Sequence, residues 1–187
     1  MSNRSIFGIV AGAALLFAAG CAHPSPTTAN YPARASELDL LDAWVGEWDS
    51  TSEIKIPGED KPVHSRGHES IAWKCNKQFL LEEMSWTEDG AEQSAMAVRT
   101  WDPHARLFRS WYYDNHGMVG QSTMTWSPAS HTWTVHTENA DPQTCLPTVG
   151  EMTIRQVDPG RQDWHFIEYD KATHKKRLEM TGVSPRK

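Results

Sequence analysis

A strict alternation of side-chain character begins at Trp48 and limits the fold more than any other feature of the chain. From Trp48 to Ile56 the even positions hold Trp, Ser, Ser, Ile and Ile, and the odd positions hold Asp, Thr, Glu and Lys. A period of two buries one set of side chains and leaves the other in solvent, as in a half-buried β-strand. The preceding residues, Leu38 to Trp44, have the apolar spacing of a short amphipathic helical turn that ends before Gly46.

Turn sequences recur along the rest of the chain, mostly 11 to 14 residues apart. Several combine Asp or Ser with Pro, as Asp102-Pro103 and Ser127-Pro128 do, which is the composition of a type I turn. The runs between the turns are rich in Trp, Tyr, Val, Ile and Thr, which are common in strands. They predict ten strands, at Trp48–Ile56, Val63–Lys74, Gln78–Trp86, Gln93–Trp101, Arg106–Asp114, Met118–Trp126, His131–Thr137, Thr148–Val157, Gln162–Asp170 and Lys175–Val183.

Strands joined by short turns form an antiparallel meander, which has two exposed edges unless the sheet closes on itself. We therefore predict an all-β fold, a single antiparallel up-and-down barrel of about 8–10 strands with a short N-terminal helix. A barrel of this size is either filled by side chains or encloses one small ligand.

The helix, the sequence Gly46-Glu47-Trp48 and the meander together resemble the lipocalin and calycin barrels. A second pattern is similar to a bacterial domain family of unknown function with the same presumed fold; it consists of Trp101-Asp102-Pro103, Phe108, Trp111, Asp114 and Gly117. The resemblance covers about residues 38–183. It implies a barrel and no particular activity.

The first twenty residues have the composition of an export signal. Arg4 is their only charge, and Ile6–Ala19 is an apolar run that is too short to span a bilayer comfortably. The run ends in Leu16-Phe17-Ala18-Ala19-Gly20-Cys21, which resembles a bacterial lipoprotein box. The resemblance implies cleavage before Cys21 and lipidation of its thiol, and ordinary cleavage near Ala22 is the alternative.

These segments predict a lipoprotein signal peptide over 1–20, a flexible tether rich in Pro, Ser and Thr over 21–35 and a β-barrel domain over 36–187. We expect a protein of the bacterial cell envelope that is held at a membrane by a lipid on Cys21 and faces the periplasm or the exterior. Ala22 stands where an Asp marks inner-membrane retention in some bacteria, so the outer membrane is favoured. The formal net charge of −6 argues against nucleic acid as a partner.

The cysteines are candidates for a cross-link, and the histidines are candidates for metal ligands. Cys75 and Cys145 could form a disulfide in an oxidising compartment, and the sequence leaves their pairing open. His64 and His68 are four residues apart, which on a strand is about 13 Å and too far to share an ion. The glycine alternation of haem-binding nitrobindin-type barrels is absent at residues 49–52. We therefore predict no metal and no cofactor.

Tryptophan is the residue that most favours a ligand pocket, since aromatic side chains form much of the wall of small-molecule sites. The proposed wall consists of Trp48, Trp73, Trp111 and Trp126, all on predicted strands. The alternative interpretation is that these rings fill the barrel and cover its ends.

Glu69 is the polar candidate in this wall. In Val63–Lys74 the odd positions are the apolar ones, so Glu69 is expected to point inward, where it could contact a ligand or act as a general base. We also predict that Arg109 points inward and contacts the ligand with its positive charge. The alternatives are a structural ion pair of Glu69 with Arg109 or Arg99, or a bulge near Gly67 that turns Glu69 outward.

We therefore predict an exported lipoprotein that binds a small, mostly apolar ligand inside the barrel. A second hypothesis is an enzyme that uses Glu69, together with His136, for proton transfer. No G-x-S-x-G elbow, phosphate loop, dinucleotide fingerprint or C-x-x-C motif occurs in the chain, which leaves the sequence without a specific catalytic class. A third hypothesis is a filled barrel that acts as an interaction module through an exposed apolar patch.

Overall fold

The computed structural model describes residues 33–88, 90–141 and 144–187, which form one 3-10 helix and ten strands. The helix covers Ser36–Trp44. The strands are β1 Gly46–Lys55, β2 Val63–Lys74, β3 Phe79–Glu88, β4 Ala91–Asp102, β5 Leu107–Asp114, β6 Val119–Ser127, β7 Thr132–Ala140, β8 Pro147–Asp158, β9 Arg161–Asp170 and β10 Lys176–Pro185. The predicted export signal and Cys21 lie outside the described residues. In the part of the chain that is described, no helix has the length and apolar character needed to cross a membrane.

The ten strands form a closed antiparallel barrel. Each strand pairs with the next in the chain, and β1 pairs with β10, where Thr51 lies opposite Val183. Closure leaves no strand of the sheet at an edge, which is the physical reason for expecting it from a meander of this length. The predicted fold class is confirmed.

The 3-10 helix covers one end of the barrel. Leu38, Leu41 and Trp44 repeat every three residues, so a helix with three residues per turn aligns them along one side. All three side chains are buried in the core of the barrel. The predicted helical turn is therefore confirmed, and the spacing of its apolar residues explains why it is a 3-10 helix.

An aromatic plug fills the barrel beneath this helix; we use this name for Trp44, Trp48, Trp101, Phe108, Trp126 and Trp133. Trp133 lies edge-on to Trp44 and Phe108, with ring centroids 5.7 and 5.0 Å away, and its centroid is 5.1 Å from that of Trp126. The indole of Trp48 donates a hydrogen bond of 2.8 Å to the backbone oxygen of Trp44. The plug therefore ties the helix to the strands and closes that end.

The opposite end of the barrel is bordered by loops 56–62, 115–118 and 171–175. Several inward-facing side chains toward this end are only partly buried: Met84, Trp86, Ala95, Tyr112, Met152, Phe166 and Met180. Others toward the same end are buried, among them Ile54, Ser65, Thr148 and Glu168. A barrel packed solid across its middle would bury all of these side chains completely. The space that they surround, below the plug, is called the lumen here.

Candidate functional site

Glu69 lies inside the barrel next to the aromatic plug. β2 pairs with β1 and β3 in continuous register, with Glu69 opposite Trp48 and Met84. Ile71, which shares its face of β2, is buried in the core. The alternation of β2 thus gives the inward orientation expected for Glu69, and no bulge at Gly67 turns it outward.

Glu69 belongs to a polar cluster with Glu82 and Arg99, which come from β3 and β4. The carboxyl group of Glu69 lies close enough to that of Glu82 and to the hydroxyl group of Ser50 for both to act on its pKa. Arg99 forms its ion pair with Glu82. The guanidinium carbon of Arg99 is 4.6 Å from the ring centroid of Trp44, so the cation also contacts the plug. Arg99 therefore supports Glu82 directly and Glu69 only at longer range.

Two further side chains border the carboxyl group of Glu69. The hydroxyl group of Ser184 lies 3.5 Å from Glu69 Oε1 and accepts a hydrogen bond of 3.2 Å from the indole nitrogen of Trp164. The indole of Trp164 lies flat against the barrel wall over Gly182, where an added Cβ would come within 2.2 Å of the ring. Glycine at 182 thus allows the ring to hold Ser184 beside Glu69.

The electrostatics of this cluster favour a neutral Glu69. Burial, and after it the negative charge of Glu82, raise the pKa of Glu69 to about 7, although Ser50 and Arg99 act in the opposite direction. Two adjacent carboxyl groups cannot both ionise at low cost. Since Arg99 is paired with Glu82, the shared proton resides on Glu69. The cluster then has no net charge, and it becomes negative when Glu69 ionises.

Three of the four tryptophans proposed for the ligand wall lie at the plugged end. Trp48 and Trp126 belong to the plug itself. The indole nitrogen of Trp73 donates a hydrogen bond of 2.7 Å to Asp42 of the 3-10 helix, at the edge of the same end. For these residues the structure favours the alternative interpretation, in which the rings cover an end of the barrel.

Trp111 and Arg109 lie on the outer face of the barrel, so the prediction that they face its interior is wrong. Phe108 and Ser110 on the same strand are buried and point inward, which turns the alternating positions outward. Arg109 donates a hydrogen bond of 2.7 Å to Asp102 instead of approaching Glu69. Large side chains occupy both faces of β5, so alternation alone did not show which face is inside.

Most of the residues that line the lumen were not among the ligand-binding residues predicted from the sequence. Glu82, Met84 and Trp86 follow Leu80 at every second position of β3, and this period of two was a usable signal. Tyr112 and Phe166 gave a weaker signal, because their strands carry aromatic or branched residues at neighbouring positions as well.

Two other hypotheses about specific pairs are contradicted. His136 lies outside the barrel, where its Nδ1 atom is 3.6 Å from a carboxylate oxygen of Glu151, so it does not approach Glu69. Cys75 and Cys145 are free, exposed thiols at opposite ends of the barrel, in the turns after β2 and β7, so they form no disulfide. Among the described residues, no three His, Cys, Asp or Glu side chains are grouped as a metal site requires.

The outer face carries an apolar row of the kind that an interaction module would need. Met96, Tyr113 and Val119 lie side by side in register on β4, β5 and β6, with exposed fractions of 44%, 36% and 60%. That hypothesis also requires a filled barrel, and the partly buried side chains around the lumen argue against a filled barrel.

Comparison with known proteins places the chain in a family. Residues 34–181 match the family described as "Protein of unknown function (DUF1579)". This chain belongs to the DUF1579 family. This agrees with the sequence analysis, in which the motifs around Trp101 and Trp111 resembled a family of unknown function with a presumed barrel fold. No curated protein matches the DUF1579 chain.

Two solved structures show the same fold. Rv2717c from M. tuberculosis has a TM-score of 0.65 at 14% identity, over 82% of the DUF1579 chain and 99% of the other chain. The S-type phycobiliprotein lyase CPES from Guillardia theta has a TM-score of 0.55 at 14% identity, over 82% and 94% of the two chains. At such identities the similarity concerns the fold alone.

Proposed function

We propose that this DUF1579 chain binds a small, mostly apolar molecule in the lumen, with a polar group of the ligand placed at Glu69. The observation that carries the proposal is the incomplete burial of inward-facing apolar side chains around a polar cluster. Such a concave, mostly apolar space with a few converging polar groups is the usual form of a small-molecule site.

The composition of the lumen wall supports an apolar ligand of adaptable shape. Met84, Met152 and Met180 supply flexible, polarisable side chains, and Tyr112 and Phe166 supply rigid rings. A wall that combines both can adjust to a ligand while still limiting its orientation. Glu69 then offers a donor when protonated and an acceptor when ionised.

The aromatic plug determines how a ligand would enter. Trp44, Trp48 and Trp133 are almost completely buried and close the end beneath the 3-10 helix. The ligand therefore enters through the opposite end and meets the polar cluster at the bottom of the lumen. The lipid anchor on Cys21 and the bacterial envelope location remain part of the proposal and rest on the lipoprotein box alone.

The proposal is tested with the neutral apolar dye N-phenyl-1-naphthylamine and two matched variants of the full chain. Ala95 faces the lumen and Met96, next to it, faces solvent. Ala95→Phe fills part of the lumen, so we expect it to weaken dye binding about tenfold or more, equivalent to about 1.4 kcal/mol. Met96→Phe adds an aromatic ring outside and should leave binding unchanged. Fluorescence titration measures both.

The result that would contradict the proposal is equally specific. A dye that does not saturate on the unmodified chain, or binds Ala95→Phe as well as the unmodified chain, would place any binding outside the lumen. Native mass spectrometry of the chain purified from its own host would detect a bound natural ligand. A co-purifying mass that is lost in Ala95→Phe and retained in Trp111→Phe would identify the class of that ligand.

A further inference from the structure

We infer that Glu69 transfers protons to and from carbon in a molecule bound in the lumen, which makes the barrel an isomerase of apolar carbonyl compounds. The inference rests on the proposed function, because it requires the same lumen to hold the substrate. It is carried by the arrangement of Glu69, Glu82 and Arg99, which separates a reachable carboxyl group from a fixed one.

Glu69 is the member of the cluster that a ligand can reach. It is only partly buried, whereas Glu82 is 5% exposed and Ser184 is 2% exposed. Ser50 and Ser184 approach Glu69 from β1 and β10 and limit the rotation of its side chain. A carboxyl group that is held in place and borders an apolar space has the position of a general acid or base.

The charged groups that face Glu69 make it suitable for both roles. Glu82 faces it from β3 and Arg99 from β4, and Arg99 is bound to Glu82. Burial and the neighbouring carboxylate raise the pKa of Glu69 to about 7. Near neutral pH the group is therefore present in both protonation states, and its ionised form is a stronger base than an exposed carboxylate.

Tyr112 supplies a neutral hydrogen-bond donor on the same side of the lumen. Glu82, Ala97 and Tyr112 lie opposite one another across β3, β4 and β5, with only the small side chain of Ala97 between the two larger ones. Burial first, and then the nearby charges of Asp114 and Glu82, raise the pKa of Tyr112, so its hydroxyl group stays protonated. A phenol of this kind can donate to an oxygen that becomes negative.

The reaction is balanced without any further reactant. The Glu69 carboxylate takes a proton from a carbon next to a carbonyl group, and the electron pair of that C–H bond forms the C=C bond of an enolate. The carbonyl oxygen takes the negative charge and accepts a hydrogen bond from Tyr112. Glu69 then returns the proton to the same carbon or to a conjugated one, which gives an isomer of the substrate.

The activity is tested with 5-nitrobenzisoxazole, a neutral aromatic carbon acid, and the full chain. A base removes its ring C–H proton, the electron pair forms a nitrile as the N–O bond breaks, and the oxygen leaves as a coloured phenolate. We expect a rate above the buffer background that rises with pH and levels off above a midpoint near 7. Glu69→Gln should lower this rate at least about tenfold, and Glu83→Gln, on the outer face of β3, should leave it unchanged.

The variant Glu82→Gln tests whether Glu82 tunes Glu69, and it distinguishes this effect from a general disturbance of the structure. It removes the negative neighbour and frees Arg99 to face Glu69, so the midpoint of the pH profile should fall by about one pH unit or more. An unchanged midpoint in that variant, or a rate retained in Glu69→Gln, would overturn the inference. Dye binding to the lumen without any excess rate would also overturn it and would leave the binding function intact; loss of dye binding itself would contradict the proposed function.

Discussion

Glu69 is kept inside the barrel at a cost that depends on pH. Its pKa is about 7 in the folded chain against an ordinary value of 4.5, chiefly because the carboxyl group is buried. Between these two values the folded chain holds a proton that the unfolded chain has lost. The contribution of Glu69 to stability is therefore complete below about pH 4.5 and is lost as the pH rises to 7.

This linkage predicts the effect of a neutral isostere. Glu69→Gln keeps the shape of the protonated side chain and cannot ionise. We expect its free energy of unfolding to equal that of the unmodified chain near pH 4.5 and to exceed it by about 2–3 kcal/mol at pH 8. Urea denaturation at both pH values measures the difference. Glu83→Gln should show no such dependence, and a Glu69→Gln chain that is less stable at pH 8 would contradict the prediction.

At the scale of the element, the 3-10 helix is held against the barrel by three buried side chains on one of its sides. Leu38, Leu41 and Trp44 enter the core, and the chain around them is fastened by polar contacts. The guanidinium group of Arg186, after β10, donates a hydrogen bond of 3.0 Å to the backbone oxygen of Val45 and lies over the Trp48 ring. A short helix of this kind depends on tertiary packing, since its own hydrogen bonds are few.

Two neighbouring leucines of the helix test that dependence. Leu41 is 0% exposed and Leu40 is 42% exposed. Leu41→Ala removes a buried side chain and leaves a cavity in the core under the helix, so we expect a loss of about 2–5 kcal/mol in the free energy of unfolding. Leu40→Ala should change it by about 0.5 kcal/mol or less. Equal losses in a thermal denaturation series would mean that the helix does not seal the barrel as described.

At the scale of the whole molecule, the pairing of β1 with β10 turns a meander into a barrel. Five residue pairs join these two strands, from Thr51 opposite Val183 to Lys55 opposite Glu179. They come from the two ends of the described chain, so the barrel closes only when the last strand is in place. Closure also defines the lumen, because an open sheet would expose the same side chains on a face.

Closure predicts how amide protons exchange with solvent. In an open sheet, β1 and β10 would be edge strands with many unpaired amides, and they would exchange quickly. In the closed barrel we expect their protection to match that of β5, within about tenfold, because both have neighbours on each side. Hydrogen–deuterium exchange with mass spectrometry measures this for all three strands. Fast exchange confined to β1 and β10 would contradict the closed topology.

The sequence by itself determined the elements and their order. The period of two in β1, the turn composition at Asp102-Pro103 and the spacing of three between Leu38 and Leu41 are local properties of the chain. Local sequence patterns of this kind indicate secondary structure directly, so ten strands and one helix could be predicted. Closure followed from the number of strands, since an unclosed meander would leave two edges.

Only the tertiary structure decided which side chains share the interior. Trp111 was placed inside from its type, and the packing of Phe108 and Ser110 places it outside. Glu69 could be identified from its own strand. Arg99 was one of two possible ion-pair partners named for it, but Glu82, and the pairing of Arg99 with Glu82, could not be identified, because these residues come from two other strands. Sequence alternation gives the face of one strand, whereas the register between strands determines which residues meet.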